Sequence, residues 1–253
     1  MRRKRYSTHA TGDQLSNHDA REDFDLHAAT YEEAVDRSIS FTGRDSAFFA
    51  KRKMELLRRI LATRGHDLSQ AAVLDVGCGT GTTDRYLVSQ VRTLHGVDLA
   101  PQMLNEARRN VPDAQFSQYD GRTLPFASDS FDVVIAICVL HHVPVPDQPR
   151  FLAEIHRVTV PGGLIAIFEH NPNNPLTRRA VRGCELDLGV ILLSAGDVER
   201  LLADVGAGLV GHEYFLFTPL GGRLGATVDR WFRRIPLGGQ HVVLAAASES
   251  IPS

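Results

Sequence analysis

The chain has 253 residues, and its 28 Lys and Arg against 30 Asp and Glu leave a formal charge of −2. At roughly 100–200 residues per domain this is one large domain or two small ones, and 43% hydrophobic with 23% charged residues is the balance of a folded globular protein rather than a disordered one. The longest unbroken apolar run, Val133 to Leu140, is far short of the ~18 residues that span a bilayer; no integral membrane association is expected, and the near-neutral charge argues against a nucleic-acid partner.

Residues 1–20 are polar and basic, with Arg2, Arg3, Lys4 and Arg5 at the front. No apolar stretch follows, so the expectation is a flexible, solvated tail rather than a secretory signal. Residues 21–65 read as an N-terminal helical cap. One helix runs from about Asp19 to Ile39, with Phe24, Leu26, Tyr31, Val35 and Ile39 among charges, and a second from about Ser46 to Thr63, with a stripe that includes Phe49, Leu56, Leu57, Ile60 and Leu61, closed by Gly65. From residue 66 to 253 the rhythm changes. Strands are expected at Ala72–Val76, Thr93–Val97, Ala114–Gln118, Phe131–Val139, Leu164–Glu169, Leu209–Phe217 and His241–Ala246, with helices between them at Thr82–Ser89, Pro101–Arg109, Asp147–Val158 and Asp197–Val205. Such alternation predicts an α/β fold: a doubly wound, Rossmann-like, seven-stranded and mostly parallel sheet with helices on both faces, here with an N-terminal helical extension. Val133–Leu140 suits a central strand buried on both faces. The three cysteines, Cys78, Cys138 and Cys184, are scattered and odd in number, which excludes a disulfide framework and suggests a reducing, cytoplasmic setting.

The most informative stretch is Val73-Leu-Asp-Val-Gly-Cys-Gly-Thr-Gly81, which leaves a strand where the backbone must approach a ligand. It is not a dinucleotide fingerprint, because Thr82 stands where the third glycine of G-x-G-x-x-G belongs, and no Gly-Lys-Ser/Thr follows to make a phosphate loop. Asp98 ends the next strand, about 20 residues on, where a carboxylate can accept from both ribose hydroxyls. The third strand ends in Tyr119-Asp120-Gly121, where Asp120 could accept from an exocyclic adenine amine. Nothing basic is spaced to hold a pyrophosphate. The loop therefore suits an adenosine ligand with a cationic or zwitterionic tail.

These residues resemble the class I S-adenosylmethionine-dependent methyltransferases of small-molecule type, the type 11-like group. The resemblance covers about residues 70–170: Leu74-Asp-Val-Gly-Cys-Gly-Thr-Gly81, Gly96-Val-Asp-Leu-Ala-Pro-Gln-Met-Leu104, Asp120-Gly-Arg-Thr-Leu-Pro-Phe126, Ser130-Phe-Asp-Val-Val134, Leu140-His-His-Val143, and Leu152 to Leu164 with Glu154, Arg157 and Pro161-Gly-Gly. It implies S-adenosylmethionine as cofactor. Gly77, Gly79 and Gly81 would let the backbone approach its methionine part, with Asp75 near the amino group. Asp98 would take the ribose, Leu99 or Met103 would pack on the adenine, and Asp120, with Gly121, would read its amine. Tyr31 matches an N-terminal residue that covers the cofactor in this superfamily.

The implied reaction is in-line displacement at the sulfonium methyl. A hydroxyl acceptor needs a base, and His142 after the fourth strand is the candidate, with His141 and Glu169 as positioning or alternative groups. No Cys or His spacing is that of a metal site, so none is expected. Segments 170–195 and 218–238 are expected to form a substrate lid. Within the second, Trp231 and Phe232 sit among Arg223, Arg230, Arg233 and Arg234. Such a stretch can lie on an anionic membrane or bind an acidic substrate; the expectation is a peripheral helix that packs its aromatic face. The function expected is methylation of a small-molecule acceptor, a hydroxyl of a glycosylated or secondary metabolite. The alternatives are a lipid or quinone-precursor methyltransferase near the membrane and a non-catalytic S-adenosylmethionine-binding protein. The sequence leaves oligomeric state open.

Overall fold

The computed structural model describes Glu22, residues 24–65 and residues 67–248; the basic tail and the start of the first expected helix lie outside the described residues. One sheet contains seven strands: β1 (Ala72–Val76), β2 (Thr93–Asp98), β3 (Gln115–Gln118), β4 (Phe131–Ile137), β5 (Thr159–His170), β6 (Gly208–Phe215) and β7 (Gln240–Ala246). Their spatial order is β3-β2-β1-β4-β5-β7-β6, parallel throughout except for β7, which runs antiparallel to β5 and β6. The order reverses between β1 and β4. In an open sheet a ligand binds at such a switch point, beyond the strands' carboxyl ends.

Helices that accompany the sheet include α1 (Tyr31–Ile39), α2 (Ser46–Thr63), α3 (Pro101–Asn110), α4 (Gln148–Val158), α5 (Pro175–Gly183), α6 (Ala195–Asp204) and α7 (Gly222–Phe232). The apolar strand runs feed both faces at once. Leu74, Val134, Ile165 and Val243 join Leu152, Ile155, Val198 and Leu202 in one core, while Val73, Val133, Ala166 and Val242 join Met54, Leu57, Ile60 and Leu61 in the other. This period-two division is why β4 and β5 read as unbroken apolar runs. Helix starts follow their caps: Asp45 Oδ1 accepts from Phe48 N–H at 2.8 Å, and Ser194 with Asp197 forms a capping box.

Several elements differ from expectation, among them β5, which begins at Thr159 rather than Leu164, and the first helix, which the 3₁₀ turn Ala28–Thr30 interrupts. Thr82–Ser89 is not an α-helix but two 3₁₀ turns, Asp84–Tyr86 and Val88–Gln90; paired threonines disfavour the helix, and Asp84 points into the interior instead of capping it. β4 stops at Ile137 because Cys138 takes a left-handed φ of 57°. The Asn- and Pro-rich stretch after β5 contains α5, started by Asn174, which accepts from Leu176 and Thr177 N–H, with Pro175 in the first turn. No described helix is long and apolar enough to cross a membrane.

Candidate active site

The loop leaving β1 turns on glycines in the left-handed region: Gly77 at φ 79°, Gly79 at 54° and Gly81 at 73°. A Cβ on Gly77 would lie 2.4 Å from Val139 Cγ2, so strand end and loop touch with no side chain between them. Gly79 has open space at its Cβ position, whereas Gly81 faces α3, with Val111 Cγ2 at 3.1 Å. Asp98 fixes the loop from β2, since its Oδ2 accepts from Gly79 N–H at 2.9 Å and its Oδ1 from Ala100 N–H at 2.9 Å. Beneath the loop two carboxyl groups are buried together. Burial, and then the Asp84 charge, hold Asp75 well above the ordinary carboxylate range, and burial pushes Asp84 up to about 7. Asp75 Oδ1 and both Asp84 oxygens have no hydrogen-bond partner. Such a pair keeps a proton unless a positive charge comes close enough to favour the ionised form.

Two cavities meet at this loop. The smaller, of about 100 Å³, is lined by Gly77, Gly79, Asp98, Leu99, Met103 and Gly121. The larger, of about 400 Å³, has apolar walls that include Val35, Phe41, Phe49, Leu176 and Phe217. Tyr31, Cys138 and His142 line both.

At the junction β4 ends in the turn Leu140–His142. Glu169, fully buried on β5, accepts from Leu140 N–H at 2.9 Å and pairs with His141 Nδ1 at 2.5 Å. Asp187, from the turn after α5, lies 3.8 Å from His141 Nε2 and 3.4 Å from His142 Nε2. Burial alone would lower His141, but Glu169 and Asp187 raise it well above an ordinary histidine, which favours the imidazolium form between the two carboxylates. His142 moves the other way, lowered by burial and by the His141 charge against the opposing pull of Asp187. One histidine is held charged and the other neutral.

Cys138 joins this group. Lys53 Nζ lies 3.7 Å and Gln240 Nε2 3.6 Å from its sulfur. Burial would raise the thiol, but His170 and Lys53 bring it down to about 7.

Residues 74–167 match the methyltransferase domain family. A methyltransferase of Synechocystis is 34% identical over 138 residues, 49% of this chain and 65% of its own length. Over this segment the chain is similar to the class I S-adenosylmethionine-dependent methyltransferases. The phthiotriol/phenolphthiotriol dimycocerosates methyltransferase of Mycobacterium leprae is 41% identical over 115 residues, 43% of this chain and 41% of the relative. The chain thus spans less than two thirds of either relative. Magnesium protoporphyrin IX methyltransferase from Synechocystis, solved with bound S-adenosylhomocysteine, shares the fold, with a TM-score of 0.63 at 15% identity over 90% of this chain and 98% of that one.

The residues of this site fit S-adenosylmethionine. Gly79 leaves the space a backbone-bound ligand needs, Asp98 offers a carboxylate beside apolar Leu99 and Met103, and the unpartnered buried carboxyl atom of Asp75 faces the same region as Lys53. Two other sequence-derived candidates, Gly81 and Asp120, line neither described cavity. Gly81 packs against α3. Asp120 is exposed, and its Oδ1 accepts from Arg122 and Thr123 N–H at 2.8 Å each, so its carboxylate closes a turn while Tyr119 and Gly121 line the cavity. His141, His142 and Asp187 each bring one ligand atom within 4.8 Å of the others, a grouping able to hold a metal ion. Sequence spacing gave no such set because Asp187 arrives from a distant turn.

Asp98→Ala should weaken S-adenosylmethionine binding by about 1–3 kcal/mol, read by calorimetry, as the ribose site and the Gly79 loop lose the same acceptor. Unchanged affinity would take Asp98 out of the donor site.

Proposed function

We propose that this methyltransferase moves the sulfonium methyl of S-adenosylmethionine to a hydroxyl oxygen of a largely apolar small molecule held in the larger cavity. The observation that carries the reading is His142: an imidazole kept neutral, lining both cavities, with Asp187 beside one ring nitrogen. The acceptor oxygen attacks the methyl carbon opposite sulfur. The C–S bond breaks, sulfur keeps its electron pair as the thioether of S-adenosylhomocysteine, and the hydroxyl proton passes to His142. Asp187 near Nε2 favours the tautomer with its proton there, leaving Nδ1 as the basic atom. His141 and Glu169 form a positioning pair that fixes the turn. Holding donor and acceptor in line supplies most of the acceleration.

The apolar walls favour an acceptor rich in hydrocarbon over a glycosylated one, and the Mycobacterium leprae relative, named for phthiotriol and phenolphthiotriol dimycocerosates, is consistent with that choice. Incubating the protein with methyl-labelled donor and a solvent-extracted metabolite pool should place label on an oxygen of an apolar product. Label on nitrogen or carbon would overturn the hydroxyl reading, and no label with intact donor binding would favour a non-catalytic binder. Because His141, His142 and Asp187 could also hold a metal, chelation is informative: turnover should survive exhaustive EDTA treatment. Loss restored by one divalent ion would replace the base with a metal.

A further inference from the structure

We propose that the face built from α7, the turn after it and the start of α5 docks this methyltransferase on an anionic lipid bilayer, with the acceptor cavity opening beside the contact. The inference uses the acceptor cavity of the preceding reading, although its test does not depend on catalysis. α7 is oriented opposite to an ordinary surface helix. Its inward positions are small or charged: a Cβ on Gly225 would lie 2.0 Å from the Leu220 carbonyl oxygen, and buried Asp229 pairs with Arg52 while accepting from Phe217 N–H at 3.1 Å. Its outward face carries large apolar residues among arginines. Leu224 and Trp231, two turns apart on one face, are 62% and 74% exposed. The sequence-based expectation that this helix packs its aromatic face therefore fails for Trp231, because Gly225 and Asp229 take the inward side. Phe232 turns back, its ring 5.8 Å from that of Phe217 on the cavity wall.

The apolar surface continues to the cavity rim. Ile235 and Leu237 are exposed, and the Leu237 carbonyl accepts from Asn174 Nδ2 at 2.7 Å, which seats it beside the exposed, cavity-lining Leu176. Charge selects the occupant. Between Thr218 and Gly239 the single acid is Asp229, which is buried in its ion pair, whereas Arg223, Arg230 and Arg234 are exposed. α5 adds exposed Arg178 and Arg182. An apolar ridge flanked by arginines matches the headgroup–acyl boundary of an anionic leaflet, where hydrocarbon burial and phosphate attraction act together. A second copy of the chain would set arginine against arginine, and a neutral bilayer would leave the charges unpartnered.

Trp231 is the only tryptophan in the chain, so its fluorescence reports on this face alone. With phosphatidylcholine vesicles containing phosphatidylglycerol, emission should shift to the blue and be quenched by brominated lipid; high salt or pure phosphatidylcholine should abolish the shift. The double variant Arg230→Glu/Arg234→Glu should partition at least about tenfold more weakly, with circular dichroism and donor affinity unchanged. Unshifted emission on anionic vesicles would overturn the inference. So would a shift that grows with protein concentration in the absence of vesicles, which would mean that a second copy covers the face. Donor binding measured on the same sample separates the two readings: vesicle binding without S-adenosylmethionine binding refutes the enzyme reading, and the converse refutes the docking face.

Discussion

His142→Ala is expected to lower turnover by about 10²–10⁴-fold with S-adenosylmethionine affinity nearly unchanged, the signature of losing a base that acts only as the bond forms. The pH profile of the unmodified enzyme gives an independent sign. His142 must be neutral to accept a proton, and burial and the His141 charge lower its pKa. Activity should therefore fall on the acid side with a midpoint below the ordinary histidine value of about 6.5, and remain full above it. Asp187→Asn removes the group that opposes this lowering and holds the ring, so it should move the acid limb further down as well as reduce the rate. Glu169→Gln is the contrast. It strips the partner from a buried imidazolium and should destabilise the turn bearing both histidines, which thermal unfolding would show beside any change in rate. If Glu169→Gln abolishes turnover in a folded protein and His142→Ala does not, the base lies on β5.

Gly77→Ala should abolish donor binding, by at least about 100-fold or 2.7 kcal/mol. Two costs coincide there: a left-handed φ of 79°, which an L side chain adopts at about 1–2 kcal/mol, and a methyl group 2.4 Å from Val139 Cγ2. The loop can relieve that contact only by shifting the end of β4, and the histidine turn follows Val139 directly. Gly81→Ala is a matched control, since it has similar backbone strain but meets α3 instead of the cavities; it should cost stability more than donor affinity. Calorimetric titration with S-adenosylhomocysteine and a melting curve for each variant check both statements.

What the sequence revealed of this site follows a physical rule. Strand runs, helix stripes and the glycine loop are local patterns, so the sheet, its flanking helices and the placement of Asp75, Gly77, Gly79, Asp98, Leu99 and Met103 could be read from spacing and the family resemblance. Residues whose importance arises only in three dimensions could not. Asp84 carries no signal in the sequence, and only its burial against Asp75 marks it. Asp187 stands in a segment with no periodicity, yet completes the histidine cluster. Cys138 seemed one more apolar residue of a central strand until its left-handed φ ended the strand and put its thiol near Lys53 and Gln240. At Asp120 spacing alone leaves open whether a strand-end acid faces a ligand or closes a turn, and its Oδ1 does the latter. The short stretch around Trp231 reads as a packed peripheral helix, whereas the buried ion pair of Asp229 decides which side of that helix faces in.

The most direct test of the donor site is calorimetric titration of the purified chain with S-adenosylmethionine, S-adenosylhomocysteine and NAD. The geometry around Gly77, Gly79 and Asp98 predicts one saturable site for the two sulfur ligands, in the micromolar range usual for cofactors, with no competition from NAD. Binding of NAD with no heat from either sulfur ligand would contradict it.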